Sequence, residues 1–346
     1  MENFGIAKIL ILGSLGFVIA YIITPILTNY LYKNKFGKNI RNDPKTPIFN
    51  RLHSLKSGTP TMGGVLVWGT TFLILSFFWI TDRIFNIQEI AFLNFLTRKE
   101  TLLPLGAFLG ASMVGLVDDW LDVKKLGHDG RGLRFRAKIW LYLLVSGIGA
   151  YWFYFKLGFS VINIPFWGNF DFGLWFIPIF MLMVTGVSFA VNQSDGLDGL
   201  AGGLLLNAFC AFAVIAYSLG DYNLASLIAV VCGALLAFLW FNVFPARFFM
   251  GDTGSMGMGV LLAIIAFLTN SMFLLIFFGF VFLLEALSTF LQMFWRNAFN
   301  KKLFLSSPLH HHFEALGWPE TKVTMRFWII SAVMSILGLI IFFIDK

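Results

Sequence analysis

Leu102 to Asp122 reads LLPLGAFLGASMVGLVDDWLD: an apolar run to Val117, then Asp118, Asp119 and Asp122, just before a basic segment. The apolar part has the character of a membrane span. On a helix Asp118 and Asp122 lie one turn apart on the same face, while Asp119 points about 100° away. Three carboxylates this close repel one another unless a cation sits among them. From this stretch alone two readings stand. One is a set of hard oxygen ligands for Mg²⁺ holding a diphosphate; the other is a solvated helix end with a structural ion network.

Outward from this stretch the chain stays apolar. Of its 346 residues 58% are hydrophobic and 12% charged, with 42 Phe and 11 Trp, which lies outside the composition of water-soluble domains. Apolar runs at about 6–32, 61–80, 102–117, 139–157, 174–191, 200–219, 223–241, 255–270, 272–295 and 327–344 predict ten transmembrane helices. The first run is longer than a signal h-region and is read as the first span. The expected fold is therefore an all-α polytopic membrane protein, a single integral-membrane domain over residues 1–346 without internal repeats. Cys210 and Cys232 both fall inside apolar runs, with neither a disulfide framework nor zinc-ligand spacing.

Ten spans divide the loops between two sides. With the N-terminus outside, nineteen Lys and Arg fall on one side, among them Lys56, Lys124, Lys138 and Arg247. The other side holds six: Lys8, Arg83, Arg98, Lys99, Lys156 and Lys346. The positive-inside rule then places the basic loops in the cytoplasm and both termini in the periplasm. A net charge of +7 suits anionic membrane lipids or phosphorylated substrates and does not point to nucleic acid.

This orientation, set by cations alone, gathers the polar clusters on the cytoplasmic face. Asp195 and Asp198 stand three apart on one helical face, with Gly196 and Gly199 permitting close approach. A capped helix start explains one of these acids but not both. Asp252 lies in the Gly-rich turn Met250 to Ser255, whose N–H groups can receive phosphate while the carboxylate holds a metal; a plain helix start is the alternative. Three successive histidines cannot all face one way on a helix, so His310 to His312 are expected on a loop, donating to a diphosphate. Zinc would need cysteine partners or an i, i+4 spacing that this triple lacks. Lys56, near Thr59 and Thr61, offers a cation and hydroxyls for phosphate, or is an ordinary inside-positive lysine. Glu285, Ser288 and Gln292 form a polar stripe expected to face the bundle interior as packing contacts.

Five of these segments occur in an order that resembles a known family. They are Gly58-Thr59-Pro60-Thr61-Met62-Gly63-Gly64, Asp118-Asp119, Asn192 through Gly199, Phe249-Met250-Gly251-Asp252-Thr253-Gly254-Ser255, and His310-His311-His312-Phe313-Glu314 with Gly317-Trp318-Pro319-Glu320. Together they look like the phospho-N-acetylmuramoyl-pentapeptide transferases (MraY), within the polyprenyl-phosphate N-acetylhexosamine-1-phosphate transferase superfamily. The resemblance implies ten transmembrane helices in the bacterial cytoplasmic (inner) membrane, an active site on the cytoplasmic face, and a homodimer. It implies Mg²⁺-dependent transfer of phospho-N-acetylmuramoyl-pentapeptide from UDP-N-acetylmuramoyl-pentapeptide to undecaprenyl phosphate, giving lipid I and UMP for peptidoglycan synthesis. By the same resemblance Asp252 is the metal ligand, Asp118 activates the acceptor phosphate, and Asp119 supports metal or phosphate. Asn192, Asp195, Gly196, Leu197 and Phe249 resemble the nucleoside pocket, with the Phe249 ring offered to uracil. Lys56, Thr61, His310 and His311 resemble diphosphate and sugar contacts, and Asp198, Asn242 and His312 join the substrate-binding set.

The chain departs from the family pattern at three places. Phe189 stands where an asparagine is usual, Gln193-Ser194 replaces Leu-Thr, and Asp122 replaces a frequent lysine. Asp122 brings the chain nearer to UDP-N-acetylglucosamine:undecaprenyl-phosphate transferases, the alternative enzyme; the His triple and the Gly-Trp-Pro-Glu run favour the muramoyl branch. A transporter, the non-enzyme alternative, would place its polar residues near mid-membrane on broken helices, often with repeat symmetry. Here they gather at one face.

Overall fold

The computed structural model of the protein describes residues 2–37, 56–84, 91–97, 101–127 and 132–346. Of the loop cations counted above, Lys38, Arg41, Lys45, Arg51, Arg98, Lys99 and Arg131 lie outside the described residues. In chain order the helices are α1 (Glu2–Lys33), α2 (Val65–Arg83), α3 (Leu102–Val123) and α4 (Phe135–Tyr151), the last continued by a π-helical turn, Trp152–Lys156. A hairpin of β1 (Val161–Ile164) and β2 (Gly168–Asp171) follows. Then come α5 (Phe176–Ser194), α6 (Leu200–Ser218), α7 (Tyr222–Asn242), α8 (Asp252–Leu268), the short α9 (Leu275–Phe278), α10 (Phe280–Phe299), α11 (Leu309–Ala315) and α12 (Glu320–Asp345).

Seven helices among the described residues are long and apolar enough to cross a membrane: α1, α2, α3, α5, α6, α7 and α12. The bent pair α9–α10 brings the number to eight. The chain is a mostly helical, multi-pass membrane protein. Each of the ten apolar runs falls on helix, but not each is a straight span. Helices α4 and α8 have 17 residues each, and the run at 272–295 breaks at Gly279 with an 83° bend. A hydropathy average carries no signal for a one-residue hinge. The all-α expectation is corrected by the hairpin, paired antiparallel with Ile162 opposite Phe170 and Asn163 opposite Asn169. Its alternation is visible in Val161-Ile162-Asn163-Ile164, of which Ile162 is buried, as a half-buried strand requires.

Lipid-facing positions such as Ile22, Ile26, Leu144 and Ile329 are exposed and apolar, as expected where lipid is the solvent. The core has two parts. One joins α1, α6, α7 and α12 through residues such as Phe209, Phe212 and Phe238. The other surrounds α8, buried from Thr253 to Phe267, and includes Tyr142 of α4, with Phe176 and Phe180 of α5 against Phe267. Helix α8 is thus a buried post, and its N-terminus meets the C-terminal end of α3. The ends of α3, α5 and α7, and the starts of α4, α6, α8 and α12, lie at the same end of the bundle by chain connectivity; the β-hairpin is at the other.

Candidate functional site

Asp118 and Asp119 close α3, and both are buried. Asp252 opens α8 beside them because Gly115, one turn before Asp118, has no side chain: a Cβ there would collide with the backbone of Asp252. Gly251 (φ +74°) makes the turn into α8, in a region that side-chain-bearing residues rarely adopt. A Cβ at Gly251 would meet the Asp119 carboxylate and, at 2.8 Å, the Thr61 hydroxyl. Two glycines therefore admit the approach that unites these acids.

The three carboxylates do different things. Asp119 accepts from the backbone N–H groups of Asp252 and Thr253, each at 3.1 Å, so it caps the start of α8 and also favours the positive end of the helix dipole. Asp118 accepts the Leu133 N–H through Oδ1 at 2.7 Å. Its Oδ2 lies 2.5 Å from Lys138 Nζ. Asp252 Oδ2 lies 2.7 Å from the same nitrogen, and its Oδ1 accepts from Asn192 Nδ2 at 2.8 Å. Lys138, near the start of α4, is thus a bridge between the two acids. The sequence reading counted it only among the inside-facing cations. The signal was indirect, since clustered acids demand a cation and Lys138 stands four residues into an apolar helix.

These groups line a cavity of about 220 Å³ to which Thr61, Asp122, Asn192 and Asp195 also contribute. Two carboxylate oxygens from different helices converge on one cationic atom, so the donor set fits a hard divalent cation such as Mg²⁺, which binds through one or two carboxylates with waters and substrate phosphates. Among the described residues no three His, Cys, Asp or Glu side chains are gathered closely enough to hold a metal by themselves.

A second polar cluster is built on Lys56. Its Nζ lies 2.6 Å from Asp198 Oδ1 and 2.5 Å from Glu320 Oε1, and 6.0 Å from the centre of the Phe249 ring. Asp198 Oδ2 also accepts the Ala246 N–H at 3.0 Å, and Glu320 Oε1 accepts the Asp198 N–H at 2.6 Å. Asn242 accepts the Gly199 N–H at 3.0 Å and donates to the Phe248 carbonyl at 2.8 Å, tying the α5–α6 turn to the segment that leads into α8. Leu197 is buried in the apolar core. Leu197 and Asn242 thus turn inward, while Asp195 faces the cavity. Phe189 packs edge-on against Phe135 and Tyr142 of α4, so it supports the helix that carries Lys138.

The histidines correct an expectation. They lie on the short helix α11, begun after Pro308, and a helix serves them because they do not share a partner. His310 Nδ1 is 2.9 Å from Glu285 Oε2, and His311 Nδ1 is 2.7 Å from Glu314 Oε2. His312 Nδ1 accepts the Leu305 N–H at 3.2 Å. A Cβ added to Gly196 would collide with His310 Nε2, which places that ring against the Asp195–Gly196 turn. Of the stripe on α10, Glu285 holds His310, and Gln292 accepts from the Leu303 and Phe304 N–H groups at 3.0 and 2.9 Å.

Comparison with known proteins follows the same residues. A profile of glycosyl transferase family 4 matches residues 101–270, and phospho-N-acetylmuramoyl-pentapeptide-transferase signature 1 matches residues 56–66. The chain is 36% identical to the phospho-N-acetylmuramoyl-pentapeptide-transferase of Chloroflexus aurantiacus, over 96% of this chain and 89% of that one. It is 38% identical to the Clostridium perfringens protein of the same name, over 96% and 98%, and 37% identical to that of Anoxybacillus flavithermus, over 96% and 97%.

Proposed function

Because this chain belongs to the phospho-N-acetylmuramoyl-pentapeptide transferase family, we propose that it transfers phospho-N-acetylmuramoyl-pentapeptide from its UDP carrier to undecaprenyl phosphate, forming lipid I and UMP. The observation that carries the reading is the Asp118–Lys138–Asp252 bridge beside a polar cavity at the end of membrane helices. Such a cavity suits a charged nucleotide donor and a lipid-borne phosphate together. A water-soluble donor alone leaves the membrane unexplained, and a lipid alone leaves the acids unexplained.

Ten crossings, periplasmic termini and a cytoplasmic site in the bacterial cytoplasmic membrane belong to the same proposal. They are supported by the Lys and Arg asymmetry and by the meeting of the site-bearing helix ends on one side. A homodimer is proposed from the family resemblance.

In the proposed reaction an oxygen of undecaprenyl phosphate attacks the β-phosphorus of the donor. The new P–O bond forms as the bond from that phosphorus to the bridging oxygen breaks, and UMP leaves with the electron pair. Asp252 would hold Mg²⁺, which would supply charge neutralisation for the diphosphate oxygens. Asp118, fixed by the Leu133 N–H, takes a proton from an acceptor phosphate that arrives protonated. Lys138 keeps a positive charge between the two acids where phosphoryl oxygens gather. Asp119 holds the start of α8, and Phe249 offers its face to uracil beside Lys56.

The deciding experiment supplies purified protein with undecaprenyl phosphate, Mg²⁺ and either UDP-N-acetylmuramoyl-pentapeptide or UDP-N-acetylglucosamine, and measures UMP. Turnover with the first supports the proposal. Turnover with the second alone moves the chain to the N-acetylglucosamine relatives, and none with either refutes both. UMP released without acceptor, with phospho-sugar retained on the protein, would replace the single displacement by a two-step route through an aspartyl-phosphate.

A further inference from the structure

The chain has two cysteines, and the fold sets them opposite each other, Cys210 on α6 and Cys232 on α7. Their sulfurs are 4.0 Å apart, although 22 residues separate them in sequence. Cys210 is exposed and Cys232 partly so. One helical turn on from each, Val214 and Leu236 are exposed and apolar, so the two thiols lie on a seam that faces lipid. Each cysteine is near the midpoint of its helix, about 12–15 Å from either end at a rise of about 1.5 Å per residue. The pair therefore sits in the middle of a hydrocarbon layer roughly 30 Å thick.

Packing holds this meeting in place. Helices α6 and α7 are joined by the turn at 219–221 and run antiparallel. Phe209 and Ala211 beside Cys210, and Val231 and Gly233 beside Cys232, are buried, which fixes the rotation of each helix. A Cβ at Gly202 would meet the Leu239 side chain at 2.8 Å, so the two helices approach closely. At the site end the Gly199 N–H donates to Asn242 Oδ1 at 3.0 Å. A disulfide needs its sulfurs about 2.05 Å apart. The remaining shift is of the size that rotation about the two Cα–Cβ bonds supplies.

We propose that Cys210 and Cys232 are a redox pair within the membrane, closed to a disulfide by a lipid-soluble quinone and fastening α6 to α7 in the oxidised form. Both S–H bonds break and one S–S bond forms. The two electrons reduce the quinone, and the two protons end on its oxygens as quinol. Reactants and products are neutral, so the step leaves no charge in the hydrocarbon, where a charge is costly. Exposure of Cys210 admits the quinone from the lipid, and the adjacent Cys232 makes closure intramolecular. Charged reductants are kept from this depth by the same cost, so a reducing aqueous phase does not reopen the bond. The pairing rests on none of the proposed transfer chemistry.

The test uses full-length protein in lipid nanodiscs, without oxygen, with and without decylubiquinone. Each sample is denatured in SDS with N-ethylmaleimide, and its intact mass is measured. Without quinone both cysteines carry the label. With quinone neither does, one quinol forms per chain, and the protein remains a monomer on a non-reducing gel. A charged phosphine restores both labels in SDS but not in intact nanodiscs. Cys210→Ala and Cys232→Ala each keep their remaining label and yield no quinol. Both labels retained after quinone overturn the proposal, as do a covalent dimer, added oxygen mass, or quinone bonded to one sulfur. Reduction by the phosphine in intact nanodiscs overturns the isolation of the pair from water. Oxidation should also raise the melting midpoint of the wild type, because the closed loop restricts the unfolded chain. Unchanged melting overturns the fastening of α6 to α7.

Discussion

Lys138→Met removes the charge that joins α3 to α8 while keeping a side chain of similar length. Asp118 Oδ2 and Asp252 Oδ2 lie 2.5 and 2.7 Å from one nitrogen, so they are at most about 5 Å apart. Like charges at that distance repel by about 3 kcal/mol at an effective dielectric of about 20. This agrees with the roughly 3–5 kcal/mol lost when one partner of a buried ion pair is removed. With all three side chains only slightly exposed, solvent screening leaves most of it in place. In EDTA the variant should therefore lose about 3 kcal/mol of stability, on the order of a hundredfold in the folding equilibrium. Mg²⁺ should restore more stability to the variant than it adds to the wild type, because the cation takes the place left by the ammonium. UMP release should fall about a hundredfold even with Mg²⁺, in the range for loss of a preorganised electrostatic contact. Thermal melting of detergent-solubilised protein with EDTA and with Mg²⁺, alongside the UMP assay, tests each part. Equal melting in EDTA, or equal Mg²⁺ stabilisation of both proteins, would show that the bridge does not govern the approach of the two acids.

Gly115→Ala puts a methyl group against the Asp252 backbone and should cost about 1–3 kcal/mol by overpacking, with transfer reduced as α8 moves from α3; full activity with unchanged melting would refute the close-approach argument. Asp119→Ala removes the cap of α8 and should cost about 0.5–2 kcal/mol, read as a lower melting midpoint in Mg²⁺ and in EDTA alike. Asp252→Asn should abolish Mg²⁺-dependent transfer and leave a folded protein by circular dichroism. Asp122→Lys should keep substantial UMP release, and a loss as deep as that of Asp252→Asn would give Asp122 a role equal to that of Asp252.

What the sequence by itself determined is local in origin. Long apolar runs mark the helices because lipid demands apolar side chains and internally satisfied backbone over each span. Asp118, Asp195 and Asp252 stood out because charged residues at the ends of such runs have few structural explanations. Tertiary structure alone decided which acid does what. Asp118 and Asp119 are adjacent, yet one faces Lys138 and the other caps α8, because successive positions on α3 point about 100° apart and only Asp119 reaches the backbone N–H groups that open α8. Lys138 was one lysine among many until the fold brought it, 114 residues away in sequence, to Asp252. The histidines likewise parted, His310 to Glu285, His311 to Glu314 and His312 to the Leu305 N–H. The bend at Gly279 and the burial of Leu197 were also set by packing between helices. Such pairings join distant segments, and no local pattern of residues encodes them.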